Sequence, residues 1–99
     1  MLTVGLVLIS LSAGPAVPAT DRVPRFDIAV SCDTANKAAS GIGRPVQACL
    51  DDEEKARTAL EMRWSEYPIH ARQSCTESVS VGGPPSYVQL ITCLEMRKQ

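Results

Sequence analysis

The sequence predicts an all-α domain, a small disulfide-stapled bundle of about four helices arranged as two helical hairpins. Apolar residues recur at helical spacing, and each of two glycine-containing turns joins two helix-forming segments into a pair that carries two of the four cysteines. The 99 residues suffice for one domain. A net charge of -1 provides no basic surface, so binding to nucleic acid is not indicated.

The N-terminal residues 1–19 are predicted to be a signal peptide. Residues 2–11 form a mostly apolar run, too short to span a bilayer but typical of the core of such a signal. Val17 and Ala19 match the small-x-small pattern of a cleavage site, and Gly14 and Ala16 offer a second choice. We therefore expect a periplasmic or secreted protein without a membrane span after signal removal.

The mature domain is expected over residues 20–99, with 20–25 as a flexible, proline-broken lead-in. An exported chain meets oxidising conditions in which thiols pair. Its even number of cysteines, Cys32, Cys49, Cys75 and Cys93, therefore predicts two disulfides.

The segment 46–67 has the strongest helical pattern. Proline precedes and follows it, which marks both ends. Its acidic run 51–54 is interpreted as a solvated, ion-paired face, because neighbouring residues on a helix point in different directions. Glu53 and Arg57 stand four residues apart with the acid first, so we expect them to form an ion pair on this helix.

Two shorter segments on either side of this helix are also predicted to be helical. The first covers 26–40, with Asp27 or Ser31 as its cap and glycines after its end. The second is opened by Pro68, continues through Cys75 and fades over 77–81.

A last helix is expected after the Gly-Gly-Pro-Pro break at 82–85. Ser86 and Gln89 have the spacing of a capping box, and the helix should continue to about Arg97. Its buried face is predicted to consist of Tyr87, Leu90, Ile91 and Leu94.

The two halves of the chain have the same order of features: Cys, a glycine turn, Val-Gln, then Cys-Leu before an acid. In antiparallel hairpins, residues equally distant from the turn face each other. This arrangement favours pairing Cys32 with Cys49 and Cys75 with Cys93. Four cysteines allow three pairings, and the sequence leaves the other two open.

Several stretches carry a resemblance to known proteins: the Cys-Leu-x-x-Glu after Cys49, the segment from Trp64 to Pro68, and the ending GG-x-PSY-x-x-L-x-x-C. Over Cys32 to Met96 the chain resembles a family of short exported four-cysteine proteins of rhizobium-like alphaproteobacteria. It has a fainter likeness to the small helical domain of lysozyme-inhibitor-like exported proteins. The first resemblance implies an exported, four-cysteine helical protein and no particular activity.

Neither a metal site nor a catalytic site is predicted, and no cofactor is expected. The cysteines lack the close spacing of structural zinc ligands. His70 is the sole histidine and has no partner nearby in sequence, so a surface position is expected. Trp64 and Tyr67 are the candidate binding residues, because these residue types anchor interfaces. They also lie on the mostly apolar stripe of the segment 46–67, which favours a packing role. This stripe follows steps of three and four residues and consists of Val46, Leu50, Glu53, Arg57, Leu60, Trp64 and Tyr67.

Function is predicted only in outline. The sequence indicates a non-enzymatic interaction or structural module of the cell envelope, whose partner would be another envelope protein. The alternative is a small periplasmic hydrolase or redox enzyme that uses His70 or a cysteine.

Overall fold

The computed structural model describes residues 21–38 and 45–98. The predicted signal peptide and the glycine turn of the first hairpin lie outside these ranges. The described residues form four α-helices and no strand, which confirms the predicted fold class. The helices are α1 (Ile28–Ala38), α2 (Val46–Arg63), α3 (Ile69–Val79) and α4 (Tyr87–Met96), and a 3-10 turn, Trp64–Glu66, follows α2.

The helices are arranged as two hairpins. Helix α1 packs against α2, and α3 packs against α4. Contacts between α2 and α4 join the two hairpins. These two helices run parallel, because Glu53 meets Tyr87 near the start of α4 and Arg63 meets Glu95 near its end. No helix in the described ranges is long and apolar enough to cross a bilayer.

The helix starts are defined by residues that the sequence singles out. Asp27 Oδ1 accepts a hydrogen bond from the Val30 amide at 3.2 Å, so Asp27 caps α1. Ser86 Oγ caps α4 in the same way, accepting from the Gln89 amide at 3.2 Å. Pro45 and Pro68 have extended backbone angles and stand at the N-cap positions of α2 and α3, one residue before the first turn.

Helix α2 ends earlier than predicted, at Arg63 rather than at Tyr67. The chain tightens into the 3-10 turn and then becomes extended at Tyr67, with φ of -84° and ψ of 140°. The ring of Pro68 disfavours helical geometry at the preceding residue, which explains the extended conformation of Tyr67. This bend lets α3 begin in a new direction.

The core lies between α2, α3 and α4. Its largest fully buried side chains are Leu60 near the end of α2, Tyr67 after the 3-10 turn, and Leu90 and Leu94 on the inner face of α4. The predicted inner face of α4 is therefore correct, with Ile91 partly buried at its edge. The full core cluster consists of Ala56, Leu60, Trp64, Tyr67, Ala71, Cys75, Tyr87, Leu90 and Leu94.

The segment before α1, expected to be a flexible lead-in, makes specific contacts with α4. The Tyr87 hydroxyl donates to the Pro24 carbonyl and accepts from the Phe26 amide, both at 2.9 Å. The rings of Phe26 and Tyr87 are also in contact, with centroids 4.7 Å apart. Val23 packs against the core as well. One buried hydroxyl thus attaches the N-terminal segment to the bundle.

Candidate binding grooves

Both hairpins carry a disulfide between their two helices. Cys32 is joined to Cys49 and Cys75 to Cys93, which is the pairing favoured by the sequence. The Cα atoms are 5.8 and 5.7 Å apart, ordinary values for disulfides. All four cysteines are therefore bonded and none is a free thiol.

The predicted surface ion pair between Glu53 and Arg57 is wrong, because Glu53 is buried and bonded to α4. Glu53 is 4 % exposed, and its carboxylate faces the start of α4 instead of Arg57. Oε1 accepts the Tyr87 amide and Oε2 accepts the Ser86 hydroxyl, both at 2.6 Å. The first amides of a helix have no partner within it, so an acid from α2 satisfies a donor of α4 and complements its dipole.

Arg57 pairs with other acids of α2 than the one predicted. Its guanidinium contacts Glu54 at 2.6 Å and Glu61 at 3.1 Å. Hydrogen bonding and charge attraction from Glu54 raise the pKa of Arg57 above its ordinary value. The acidic run is thus divided, with Glu54 on a solvated face and Glu53 in the interior. The sequence contained one clue, since Glu53 lies on the same helical stripe as Leu60 and Trp64.

The two candidate binding residues are both buried. Tyr67 belongs to the core, and its hydroxyl donates a hydrogen bond to Glu95 Oε2. This bond is the main reason why the pKa of Glu95 lies below its usual 4.5, while burial first and then the same bond raise the pKa of Tyr67. Trp64 is 5 % exposed, and the Arg72 guanidinium lies 5.8 Å from its ring centroid.

A groove of about 680 Å³ lies between the N-terminal segment and α2. We call it the aromatic groove, because Phe26, Trp64 and Tyr87 all line it. Residues 21–25 form one wall, and Arg57 and Glu61 belong to the opposite side. Trp64 is 5 % exposed, so only a small part of its ring could contact a partner. That part belongs to a concave site lined by aromatic and arginine side chains, which are residue types enriched in binding hot spots.

A second concave site lies between the first hairpin and the start of α4. We call it the hairpin groove; it consists of two adjoining hollows of about 400 and 260 Å³ that share Ala35, Cys49, Glu53, Ser86 and Gln89. The Cys32–Cys49 disulfide and Val88 form apolar walls of the larger hollow. Asp52 and Glu53 are the ionisable side chains that line it in the described structure.

His70 lies in a shallow depression with Ser74, Glu77 and Arg97, away from both grooves. Histidine, serine and an acid are the residue types of a hydrolytic triad. The Ser74 hydroxyl, however, is hydrogen-bonded to the Arg97 guanidinium. Among the described residues no hydrogen bond connects the His70 imidazole to Ser74 or Glu77. His70 is exposed, as the sequence indicates.

Residues 21–38 and 45–98 contain no group of three or more His, Cys, Asp or Glu side chains that could hold a metal ion. No protein family, curated protein or solved structure matches this chain. The resemblance to the exported four-cysteine family therefore stays a prediction, and the arguments for function depend on the grooves themselves.

Proposed function

We propose that this protein is an exported, non-enzymatic binding module that attaches to another envelope protein through the aromatic groove. The observation that supports this proposal most is the concave surface formed by Phe26, Trp64 and Tyr87 beneath the N-terminal segment. Binding sites are commonly concave and combine aromatic walls with a few polar groups.

The aromatic groove is rigidly built on both sides. Tyr87 holds the backbone at Pro24 and at Phe26, so Arg25 between them is attached at both of its neighbours. On the other side, Arg57 is oriented by two carboxylates of its own helix. A site that is ordered before binding loses less conformational entropy when the partner arrives, which favours affinity.

The compartment is proposed from the cysteines and the N-terminal sequence. Two disulfides fit an oxidising environment outside the cytoplasm. The periplasm or the medium is the location to which the predicted signal peptide would direct the chain. Cell fractionation followed by mass spectrometry tests this directly, with a mature N-terminus near Thr20 as the expected result. Recovery of the uncut chain from the cytoplasm with reduced cysteines would contradict it.

The alternative function, a hydrolase or redox enzyme, has less support from the arrangement of the side chains. A thiol-dependent redox reaction needs a thiolate, and the four cysteines are paired. A nucleophilic serine needs a base within hydrogen-bond reach, whereas Ser74 is bonded to Arg97. Loss of a measured activity on changing His70 to Ala, with an unchanged melting temperature, would favour the enzyme.

Site-specific photocrosslinking in the native organism tests the binding module. A photoreactive amino acid is placed at Arg25 or at Glu61, on the two sides of the aromatic groove. We expect both positions to yield the same crosslinked protein, which mass spectrometry identifies. Thr58 is the matched control, because it is exposed on α2 and does not line either groove.

The test depends on comparing the crosslinked products formed at Arg25 and Glu61 with those formed at Thr58. Products from Thr58 that equal those from Arg25 and Glu61 would indicate random collisions. If Arg25 and Glu61 both give no product in cells that express the protein at its native level, the aromatic groove is not a partner surface.

A further inference from the structure

We infer that the aromatic groove binds an extended segment of the partner protein in which an acidic side chain stands next to an apolar one. This partner chemistry rests on the proposed function, because the same groove is the binding site in both. Three features of the groove support it: arginines without a partner on one wall, free backbone groups beside them, and an aromatic surface between the walls.

The first feature is the difference in charge between the two walls. Arg57, on the α2 side, is bonded to two carboxylates of its own helix, so this side has no cation left to offer. On the opposite wall, Arg22 and Arg25 are exposed, and neither guanidinium makes a hydrogen bond or an ion pair within the described ranges. Asp21 is the single acid of this wall, so residues 21–25 have a net charge of +1. A carboxylate that enters the groove is therefore attracted to the N-terminal segment and repelled from α2.

The chemistry of a guanidinium indicates which anion fits. Its five N–H donors form a planar fork, which matches the two oxygens of a carboxylate. Because the forks of Arg22 and Arg25 are unoccupied in the described structure, each has its full set of donors available to an acidic side chain of the partner. The free arginines thus favour an acidic residue, which the paired Arg57 does not.

The second feature is a pair of free backbone groups between the two points at which Tyr87 holds the N-terminal segment. The Tyr87 hydroxyl bonds the Pro24 carbonyl and the Phe26 amide, both at 2.9 Å. Between them, the amide and the carbonyl of Arg25 make no hydrogen bond to any described residue. A donor and an acceptor side by side are what another extended main chain pairs with. A phosphate, whether free or in a lipid, offers acceptors only, so these groups favour a protein segment.

The third feature is the aromatic surface between the walls. Phe26 is partly buried and is the most exposed of the three rings, since Trp64 and Tyr87 are 5 % and 3 % exposed. The aliphatic stem of Arg25 adds apolar surface beside Phe26. An apolar side chain of the partner is therefore expected against Phe26, while its acidic neighbour meets Arg22 or Arg25.

The test uses the oxidised full chain, labelled with ¹⁵N, and short blocked peptides as probes. We expect acetyl-Glu-Leu-Glu-amide to cause saturable shifts of the Arg25 and Phe26 amides and of the Trp64 indole N–H. The Gln-Leu-Gln analogue keeps the shape and removes the charge, and it should bind about three- to tenfold more weakly. Equal affinity of the two peptides, or tighter binding of the Lys-Leu-Lys analogue, would overturn the inference, as would the absence of saturable shifts from the acidic peptide.

A main-chain variant of the probe tests the backbone pairing. The acidic peptide with N-methylated backbone amides keeps its carboxylates but cannot donate to the Arg25 carbonyl, so it should bind more weakly than the unmodified peptide. Equal binding of the two would overturn the proposed pairing with Arg25.

Two variants of the protein test the arginines. Arg22→Gln and Arg25→Gln each remove a charge that makes no native contact in the described structure, so the melting temperature should not change. Each should weaken binding of the acidic peptide about three- to tenfold. Lys55→Gln is the matched control, because Lys55 is exposed on α2, lines neither groove and loses the same charge. Equal affinities of all three variants would overturn the role of the arginines.

Other occupants and the proposed function are separated by two further measurements. Vesicles of phosphatidylglycerol and phosphatidylcholine that bind the wild type, but not Arg25→Gln, and are not displaced by the acidic peptide would identify an anionic membrane instead. In the photocrosslinking experiment, a product at Arg25 and Glu61 that maps to a partner segment without an acidic residue would leave the binding module standing and overturn the acidic segment.

Discussion

The two hairpins are built from the same sequence features but are stabilised differently. In the second hairpin, both helices contribute to the core: Ala71 and Cys75 from α3 are buried together with Tyr87, Leu90 and Leu94 from α4. In the first hairpin, Cys32 is the one buried residue among the described side chains of α1, and it does not belong to the core cluster. Helix α1 therefore depends mainly on its disulfide, with Ile28 packed at the edge of the core, whereas α3 is also held by the burial of Ala71 and Cys75.

This difference shows that a repeated pattern does not imply a repeated energetic role. Cys32 is as deeply buried as Cys75, but the Cys32–Cys49 disulfide lies outside the core cluster, whereas Cys75 belongs to it and Cys93 packs against it. Four measurements test how the two hairpins differ in their contribution to stability.

The largest loss of stability is expected on changing Trp64, which follows α2 and belongs to the core. Changing Trp64 to Ala removes a nearly buried indole and should lower the free energy of unfolding by about 3–5 kcal/mol. Met62 lies two residues earlier, in the last turn of α2, and is 77 % exposed, so Met62→Ala is the matched control, with an expected change within about 0.5 kcal/mol. Thermal and denaturant unfolding measure both. Equal stability of the two variants would place Trp64 outside the core.

The next largest loss of stability is expected on removing a disulfide, and the two disulfides should differ. Replacing Cys75 and Cys93 together by Ala should cost about 2–5 kcal/mol and accelerate hydrogen exchange throughout α3 and α4, because Cys75 is fully buried in the core. Replacing Cys32 and Cys49 together should mainly accelerate exchange in α1, with a smaller loss of global stability.

Hydrogen exchange with mass spectrometry separates these cases. Uniform acceleration over the whole chain in both double variants would show that the hairpins unfold as one unit, and the proposed difference between them would then be wrong.

A third effect concerns the contact between the hairpins. Glu53→Ala leaves the Tyr87 amide without its carboxylate acceptor and should destabilise the protein by about 1–3 kcal/mol. Glu54→Ala removes only exposed contacts with Arg57 and should change stability by less than about 0.5 kcal/mol. Chemical denaturation measures the two variants side by side. A larger loss from Glu54→Ala would restore the surface ion-pair interpretation of the acidic run.

The smallest effect is a dependence on pH at the end of α4. The folded pKa of Glu95 is below its ordinary 4.5, mainly because Tyr67 donates a hydrogen bond to it. The stabilisation is therefore present above pH 4.5 and is lost as the pH falls through the lower folded value. Melting curves from pH 7 downward should show this loss in the wild type, and the loss should be smaller in Glu95→Gln. Identical pH profiles would mean that Glu95 titrates alike in the folded and unfolded states.

Much of the fold follows from local features of the sequence. Asp27 and Ser86 cap the helices that they precede, and prolines mark the starts of α2 and α3. The similar separations of the cysteines across two glycine turns, 17 and 18 residues, were sufficient to favour the observed disulfides, because hairpin geometry brings residues roughly equidistant from a turn face to face. These features depend on residues close together in the chain, so their effects can be recognised without the tertiary structure.

The grooves could not be predicted in this way. The aromatic groove depends on the contacts of Tyr87 with Pro24 and Phe26, more than sixty residues away in sequence. No local pattern indicates that a tyrosine on α4 will hold a proline-broken segment before α1. For the same reason, the sequence could identify Trp64 as a possible binding residue but not the groove to which it belongs.

Spacing along the chain was enough to predict the four helices, to identify Ser86 as a cap and to favour the disulfide-linked hairpins, because each of these features depends on residues that are near in sequence. The tertiary structure alone decided the role of Glu53. Its spacing from Arg57 satisfies the rule for a surface pair, but the parallel packing of α2 on α4 brings the unpaired first amide of α4 to its carboxylate. Satisfying a buried donor stabilises the fold more than a solvent-exposed ion pair does, so the distant contact prevails over the local one.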